Sequence, residues 1–289
     1  MSRVPQRSRR LLASACWEPT RPPRLTVVLA LAACCAAAAP PDRGGFAIHE
    51  VAPPFQAGST RIRVLLPDRL DPGRKYPAVY VLPVERGGEN RYGDGLGEVK
   101  RRDLHNRHPA VFVAPEFSHL PWYADHPTDP CIRQESHFVQ VVVPFIESRY
   151  PVRAEADGRW LLGFSKSGWG ALSLLLRHPD LFGKAAAWDA PLMKDRPDQF
   201  GMDAVFGGQD NFENYRIAGL LARRAAELRG RTRIVLLGYG NFREHHQQAH
   251  QLLERLGIPH DYRDGPARIH DWHSGWVEEA VQWLFADPR

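Results

Sequence analysis

With 32 basic and 32 acidic residues beyond position 33, this 289-residue chain has no basic surface to offer nucleic acid, although its formal net charge is +5. The surplus lies in residues 1–33, where six arginines stand against Glu18. The hydrophobic content is 43%, with no low-complexity bulk. The roughly 250 residues left after a leader suffice for one α/β domain with a large core.

Residues 1–39 read as an export signal. An arginine-rich lead precedes an apolar run at 25–39. That run is too short for a membrane span and suits a signal h-region. Leu31-Ala32-Ala33-Cys34 resembles a bacterial lipobox, in which Cys34 is lipidated and becomes the mature N-terminus. Cleavage near Ala39 is the competing expectation. Ser8-Arg9-Arg10-Leu11-Leu12 resembles a twin-arginine signal, but residues 16–24 separate it from the h-region, so it ranks lower. A misplaced start codon is a further alternative. The expected location is periplasmic, extracellular or lipid-anchored. Of four cysteines, only Cys131 lies in the globular part, so no disulfide framework is expected there.

Residues 40–59 are rich in Pro and Gly and read as a tether, and one domain is expected over 60–289. Residues 46–51 and 60–66 alternate as antiparallel strands do. Residues 76–82 and 110–114 are continuous apolar runs, suited to strands buried on both faces. A helix is expected over 138–146, with Pro144 kinking or breaking it. A strand at 160–162 leads into Gly163-Phe164-Ser165-Lys166-Ser167-Gly168-Trp169-Gly170, and a helix at 171–177 leads out. Then come a strand (184–188), a helix (213–228), a strand (233–237), a helix (244–256), a strand (259–263) and a helix (275–285). This alternation predicts a mostly parallel, doubly wound sheet with helices on both faces. Chemistry in such folds sits in loops after strand C-ends, here 83–95, 116–129, the Ser165 turn and 267–273.

Strand, sharp turn with a serine, helix is the layout of a nucleophile elbow. The corner leaves no room for large side chains two residues before and after the serine. Gly163 satisfies the first position; Ser167 fills the second, where glycine is usual. The helix N-terminus behind Ser165 supplies free N–H groups and a positive dipole end for a developing oxyanion.

These residues carry a resemblance. Residues 163–172 are similar to the G-H-S-M-G-G-H-G-A-L elbow of the esterase D-type α/β-hydrolases, a group that includes feruloyl esterases, enterochelin esterases and mycolyltransferases. Residues 76–82 resemble that family's central strand. Trp122-Tyr123-Ala124-Asp125 resembles its W-Y-x-D segment, Val143-Pro144-Phe145-Ile146-Glu147 its I-P-x-I-E helix, and His270-Asp271-Trp272 its terminal H-x-W. The resemblance covers roughly residues 60–287, with its motifs in the expected order. It implies an α/β-hydrolase fold, Ser165 as nucleophile and His270 as general base, with His273 the nearest competitor. The chemistry agrees, since a serine hydroxyl attacks an ester poorly unless an imidazole takes its proton.

Two departures follow. Pro83-Val84-Glu85 stands where the family has a His-Gly or similar small pair. Pro83 has no N–H, so the oxyanion donors expected are the N–H of Lys166 with that of Val84 or Glu85. Glu85 must point away or pair with an arginine such as Arg91. The turn after residue 237, where the family places its acid, reads Gly238-Tyr239-Gly240-Asn241-Phe242. Asp189, at the end of the strand beside the nucleophile strand and between apolar neighbours, is the acid expected. Glu244 is the second choice and Asn241 the third.

The expected activity is hydrolysis of a carboxylic ester through an acyl-serine, with no metal or organic cofactor. The partner expected is a small-molecule or glycan-linked ester. Alternatives are acyl transfer, or a non-catalytic binding module that kept the fold. Trp122, Tyr123, Trp169 and Trp272 are expected to line the substrate pocket; Trp276 is expected in the core. His246 and His250 share the i, i+4 spacing of a helical metal pair. Gln247 stands where a zincin has its glutamate and no third ligand is evident, so a solvated helix face is expected.

Overall fold

A computed structural model describes residues 44–87 and 90–286. The leader at 1–39, with Cys34, lies outside the described residues. The first two strands, β1 (Ala47–Val51) and β2 (Thr60–Leu65), pair antiparallel. β3 (Ala78–Val81), β4 (Val111–Pro115) and β5 (Arg159–Phe164) are buried throughout, as apolar runs between two helical layers must be. β6 (Lys184–Trp188), β7 (Ile234–Tyr239) and β8 (His260–Ala267) complete one sheet. Its order is β1-β2-β4-β3-β5-β6-β7-β8. β2 meets β4 antiparallel, and every pairing from β4 to β8 is parallel.

Ten α-helices fill the connections among the described residues: α1 (Gly95–Arg101), α2 (Leu104–Arg107), α3 (Gln134–His137), α4 (Val143–Arg149), α5 (Ser165–Arg177), α6 (Asp203–Phe206), α7 (Gln209–Glu213), α8 (Ile217–Leu228), α9 (Arg243–Leu256) and α10 (Trp276–Phe285). The period-2 alternation of the strands feeds two cores, one per face. Val79, Val81 and Leu162 pack with Val99 of α1 and Val277 of α10. Tyr80, Leu161 and Ala187 pack with Leu172 of α5, Leu221 of α8 and Leu253 of α9. The doubly wound arrangement expected from the sequence is the one found. Among the described residues, no helix is long and apolar enough to cross a membrane.

Three expectations differ in detail. The expected tether over 40–59 is in part folded: β1 occupies the unpaired edge of β2, and Gln56 bridges to Ile132. The helix expected over 138–146 becomes α3, a π-helical turn at Phe138–Val142, and α4 with Pro144 in its first turn. The backbone stays right-handed helical from His137 through Val143, so Pro144 does not break the chain of helical turns. The helix expected over 213–228 starts later, as α8 at Ile217: Glu213 closes α7, the Asn214 carbonyl accepts from Arg177 Nη1 at 2.9 Å, and Arg216 is extended.

Candidate active site

β5 ends in the centre of the sheet, and the chain turns into α5 at Ser165. Ser165 has φ +52°, a left-handed backbone that a non-glycine residue adopts only under constraint. Gly163 has to be glycine, since a Cβ there would lie 2.3 Å from the Ser167 carbonyl oxygen. Ser167 accounts for its own departure from the usual pattern. Its buried hydroxyl accepts from the Phe164 N–H at 3.1 Å and donates to the Phe164 carbonyl at 2.9 Å, bracing the corner from inside. The close approach falls one residue later, at Gly168, whose Cβ would meet that of Ala190 at 2.8 Å.

β6 delivers the acid. Asp189 follows Trp188 with φ +41° and is fully buried. Its carbonyl accepts from the Ser165 N–H at 3.2 Å, tying acid and nucleophile corners together. Its carboxylate meets His270 Nδ1 directly. It also accepts from the N–H of Asn241 at 2.8 Å and of Phe242 at 2.6 Å. Burial alone would raise this carboxyl's pKa. The bonds from His270 and from the backbone of Gly240, Phe242 and Asn241 outweigh it and hold Asp189 ionised, below its ordinary value. The turn after β7 thus carries no acid of its own; it is an amide cradle for the carboxylate on the neighbouring strand. A Cβ on Gly240 would lie 2.7 Å from Asp189 Oδ2, so only glycine fits. Asn241 contributes its N–H and not its side chain to this contact. Glu244 is exposed and accepts from Gln248 Nε2 at 3.0 Å. Neither meets the imidazole.

His270 lies beyond β8, wedged edge-on against Phe164, with ring centroids 5.0 Å apart, and against Tyr92 at 5.7 Å and Phe242 at 5.8 Å. With Nδ1–H donated to Asp189, Nε2 keeps the lone pair. His270 and Ser165 border one cavity of about 340 Å³. No hydrogen bond joins them here; such contacts often close only around substrate. His273, the competing histidine, is engaged elsewhere, with Glu98 at 3.1 Å and the Asp94 N–H at 3.3 Å.

The loop after β3 supplies the other wall. Among the described residues, the N–H groups of Val84 and Glu85 have no hydrogen-bond partner. Tyr123 anchors this loop, its hydroxyl donating to the Pro83 carbonyl at 2.6 Å. Glu85 does not present a bare carboxylate to the site. It accepts from Lys166 Nζ at 3.1 Å and lies 3.8 Å from Arg91.

The four aromatics expected to line the pocket do not. Trp122, Tyr123 and Trp169 are 0% exposed and Trp272 1%. Trp122 packs edge-on against Trp169, and Trp272 against Phe164. They stand behind the catalytic elements, where large apolar rings gain most by burial. The rings that face the cavity are Tyr92, Phe200 and Phe242, all on loops after strand C-ends. Tyr92 and Phe242 lay beside residues already singled out in the sequence. Phe200 had no local signal beyond its loop position.

The other histidines separate as well. His245 accepts from the Met193 N–H at 3.0 Å and buried His246 from the Ala190 N–H at 2.8 Å, holding the segment after Asp189. His250 points away from both, toward His260.

Comparison with known proteins places this geometry in context. A family model described as putative esterase matches residues 57–236, a span that contains Ser165 and Asp189 and ends before His270. Esterases from two strains of Mycobacterium tuberculosis are 31% identical over 134 residues, 45% of this chain and 29% of theirs. The match thus spans less than a third of the length of these curated relatives. Among solved structures, a ferulic acid esterase superposes with a TM-score of 0.65 at 22% identity, covering 83% of this chain and 96% of its own. A fluorophosphonate-binding serine hydrolase of Staphylococcus aureus superposes at 0.68 with 18% identity, covering 84% and 98%. The S-formylglutathione hydrolase of the same organism gives 0.67 at 17%, covering 83% and 98%. The fold is that of the α/β-hydrolases, and the chain belongs to the putative esterase family.

Proposed function

We propose that this protein is a serine hydrolase that cleaves a carboxylic ester through an acyl-Ser165 intermediate. One observation carries the reading: a buried, amide-cradled Asp189 holds His270 beside the cavity that Ser165 enters from a strained corner. Ser165 Oγ attacks the carbonyl carbon and its proton passes to His270 Nε2. Asp189 stabilises the imidazolium that forms. The oxyanion is met by the N–H of Lys166, at the start of α5, and that of Val84 or Glu85. His270 returns the proton to the leaving alkoxide, the alcohol departs, and water repeats the sequence on the acyl group to release the acid.

Tyr92, Phe200 and Phe242 suit an aromatic acyl or alcohol group, in keeping with the ferulic acid esterase among the structural neighbours. The substrate is a small-molecule or glycan-linked ester. The departures that favour a binding module are the acid missing after β7 and the missing His-Gly after β3; Asp189 on His270 answers the first, and the N–H groups of Val84 and Glu85 offer donors in place of the second. An export signal over residues 1–39, ending in lipid attachment at Cys34 or in cleavage near Ala39, belongs to the same reading, with one catalytic domain following it. The test is turnover of small aryl esters. Ser165→Ala should reduce it at least ~10³-fold with the fold intact; turnover equal to that of the unmutated chain overturns the proposal.

A further inference from the structure

At the far end of the sheet from Ser165, α9 and β8 bring three ligand-type side chains together. His250 and Glu254 are one turn apart on α9, and His260 opens β8. One nitrogen of each ring and a Glu254 carboxylate oxygen lie within 4.8 Å of one another. His250 Nδ1 and His260 Nε2 are 2.8 Å apart. Glu254 Oε1 is 3.9 Å from the same His260 nitrogen.

The rings are held as metal-binding imidazoles are held. His260 Nδ1 bonds the Ile258 carbonyl at 2.9 Å, which fixes its proton there and leaves the Nε2 lone pair facing His250. The His260 side chain is 2% exposed, whereas Glu254 is 65% exposed. His250 stacks on Tyr262, with centroids 4.1 Å apart and planes 12° from parallel. Two rings locked by packing thus face a solvent-accessible carboxylate. The i, i+4 pair read in the sequence, His246 and His250, diverges; the pair that converges is His250 and Glu254, completed from a strand by His260.

We infer that His250, Glu254 and His260 form a binding site for a divalent transition-metal cation of the zinc type. Two imidazoles and one carboxylate supply three positions of a tetrahedral shell, with water in the fourth. The cation replaces the hydrogen between the rings, and the displaced proton moves to the free nitrogen of His250. Its role is a clip between α9 and β8. His260 pairs with Ile234 at the start of β7, while the Asp189 cradle follows Tyr239 at its end. Five residues of strand separate them, about 16 Å, so the cation takes no part in ester cleavage.

Titration of the chelator-treated full chain with ZnCl2, followed by calorimetry and by Tm, tests this. One equivalent should bind per chain and Tm should rise with free zinc. Glu254→Gln and His250→Ala should each weaken binding by more than ~10-fold, the lower end of what even a ligand's supporting partner contributes. Glu254→Gln should leave the metal-free Tm unchanged, because its side chain is exposed, so lost binding there is not lost folding. Aryl esterase activity should stay constant throughout. No binding at submillimolar ZnCl2, or undiminished binding by either variant, overturns the site.

Discussion

Asp189 illustrates how much one side chain can settle. A carboxylate between apolar neighbours at a strand end needs a partner, and that need was legible in Ala187-Trp188-Asp189-Ala190-Pro191. What was not legible is that the Gly240–Phe242 turn, read as the family's acid position gone blank, donates its amides to that same carboxylate. Asp189→Asn should therefore keep the fold but lower kcat by up to ~10⁴-fold, through loss of charge opposite the imidazolium. Circular dichroism and steady-state kinetics on the purified variant check this; an unchanged kcat would return the role to another group. The pocket aromatics show the converse. Trp122, Tyr123, Trp169 and Trp272 stand in or beside the motifs, and no single-sequence signal distinguishes a ring behind a catalytic loop from one in front. Burial decides it, and burial is a property of the whole fold.

At the scale of elements, α9 braces the site from behind. His246 is fully buried and accepts the Ala190 N–H, one residue past the acid. Burial pushes its pKa down from 6.5 to about 4; the Asp189 and Asp264 charges work against that shift and the His245 charge with it. The ring is neutral in the folded protein. As pH falls below about 6.5, the unfolded chain binds a proton that folded His246 refuses, so stability is intact above that pH and declines toward about 4. His137, also pushed down to about 4 by burial, titrates in the same window. Urea midpoints at neutral pH and near pH 5 should therefore differ for the wild type. His246→Asn should lower the neutral value and reduce the difference without abolishing it. An undiminished pH dependence in the variant would remove His246 from this role. The order of the eight strands and of α5, α8, α9 and α10 followed from hydrophobic periodicity; the short helices α1, α2, α3 and α6 were not among the expected elements. Nor was the break between α7 and α8, where the Asn214 carbonyl accepts from Arg177, a residue of another helix.

Across the whole molecule, the parallel sheet collects the loops after β3, β4, β5, β6, β7 and β8 at one end, which is why residues from 85 to 270 meet in one cavity. The alternation of strands and helices predicted that gathering; it could not predict which loop side chains turn inward. β1 begins at Ala47, so cleavage at Cys34 or near residue 40 leaves every described strand in place. N-terminal sequencing and mass spectrometry of cell fractions should find one of those two ends, with lipid on Cys34 in the first case; a cytosolic chain beginning at Met1 would contradict export. The central claim is that Ser165 is a nucleophile activated by His270 and Asp189. Its most direct test is reaction of the intact protein with a fluorophosphonate, followed by mass measurement and peptide mapping. One adduct per chain on Ser165, slowed in His270→Ala and Asp189→Asn, is the result expected; no adduct, or an adduct on Ser167, would contradict it.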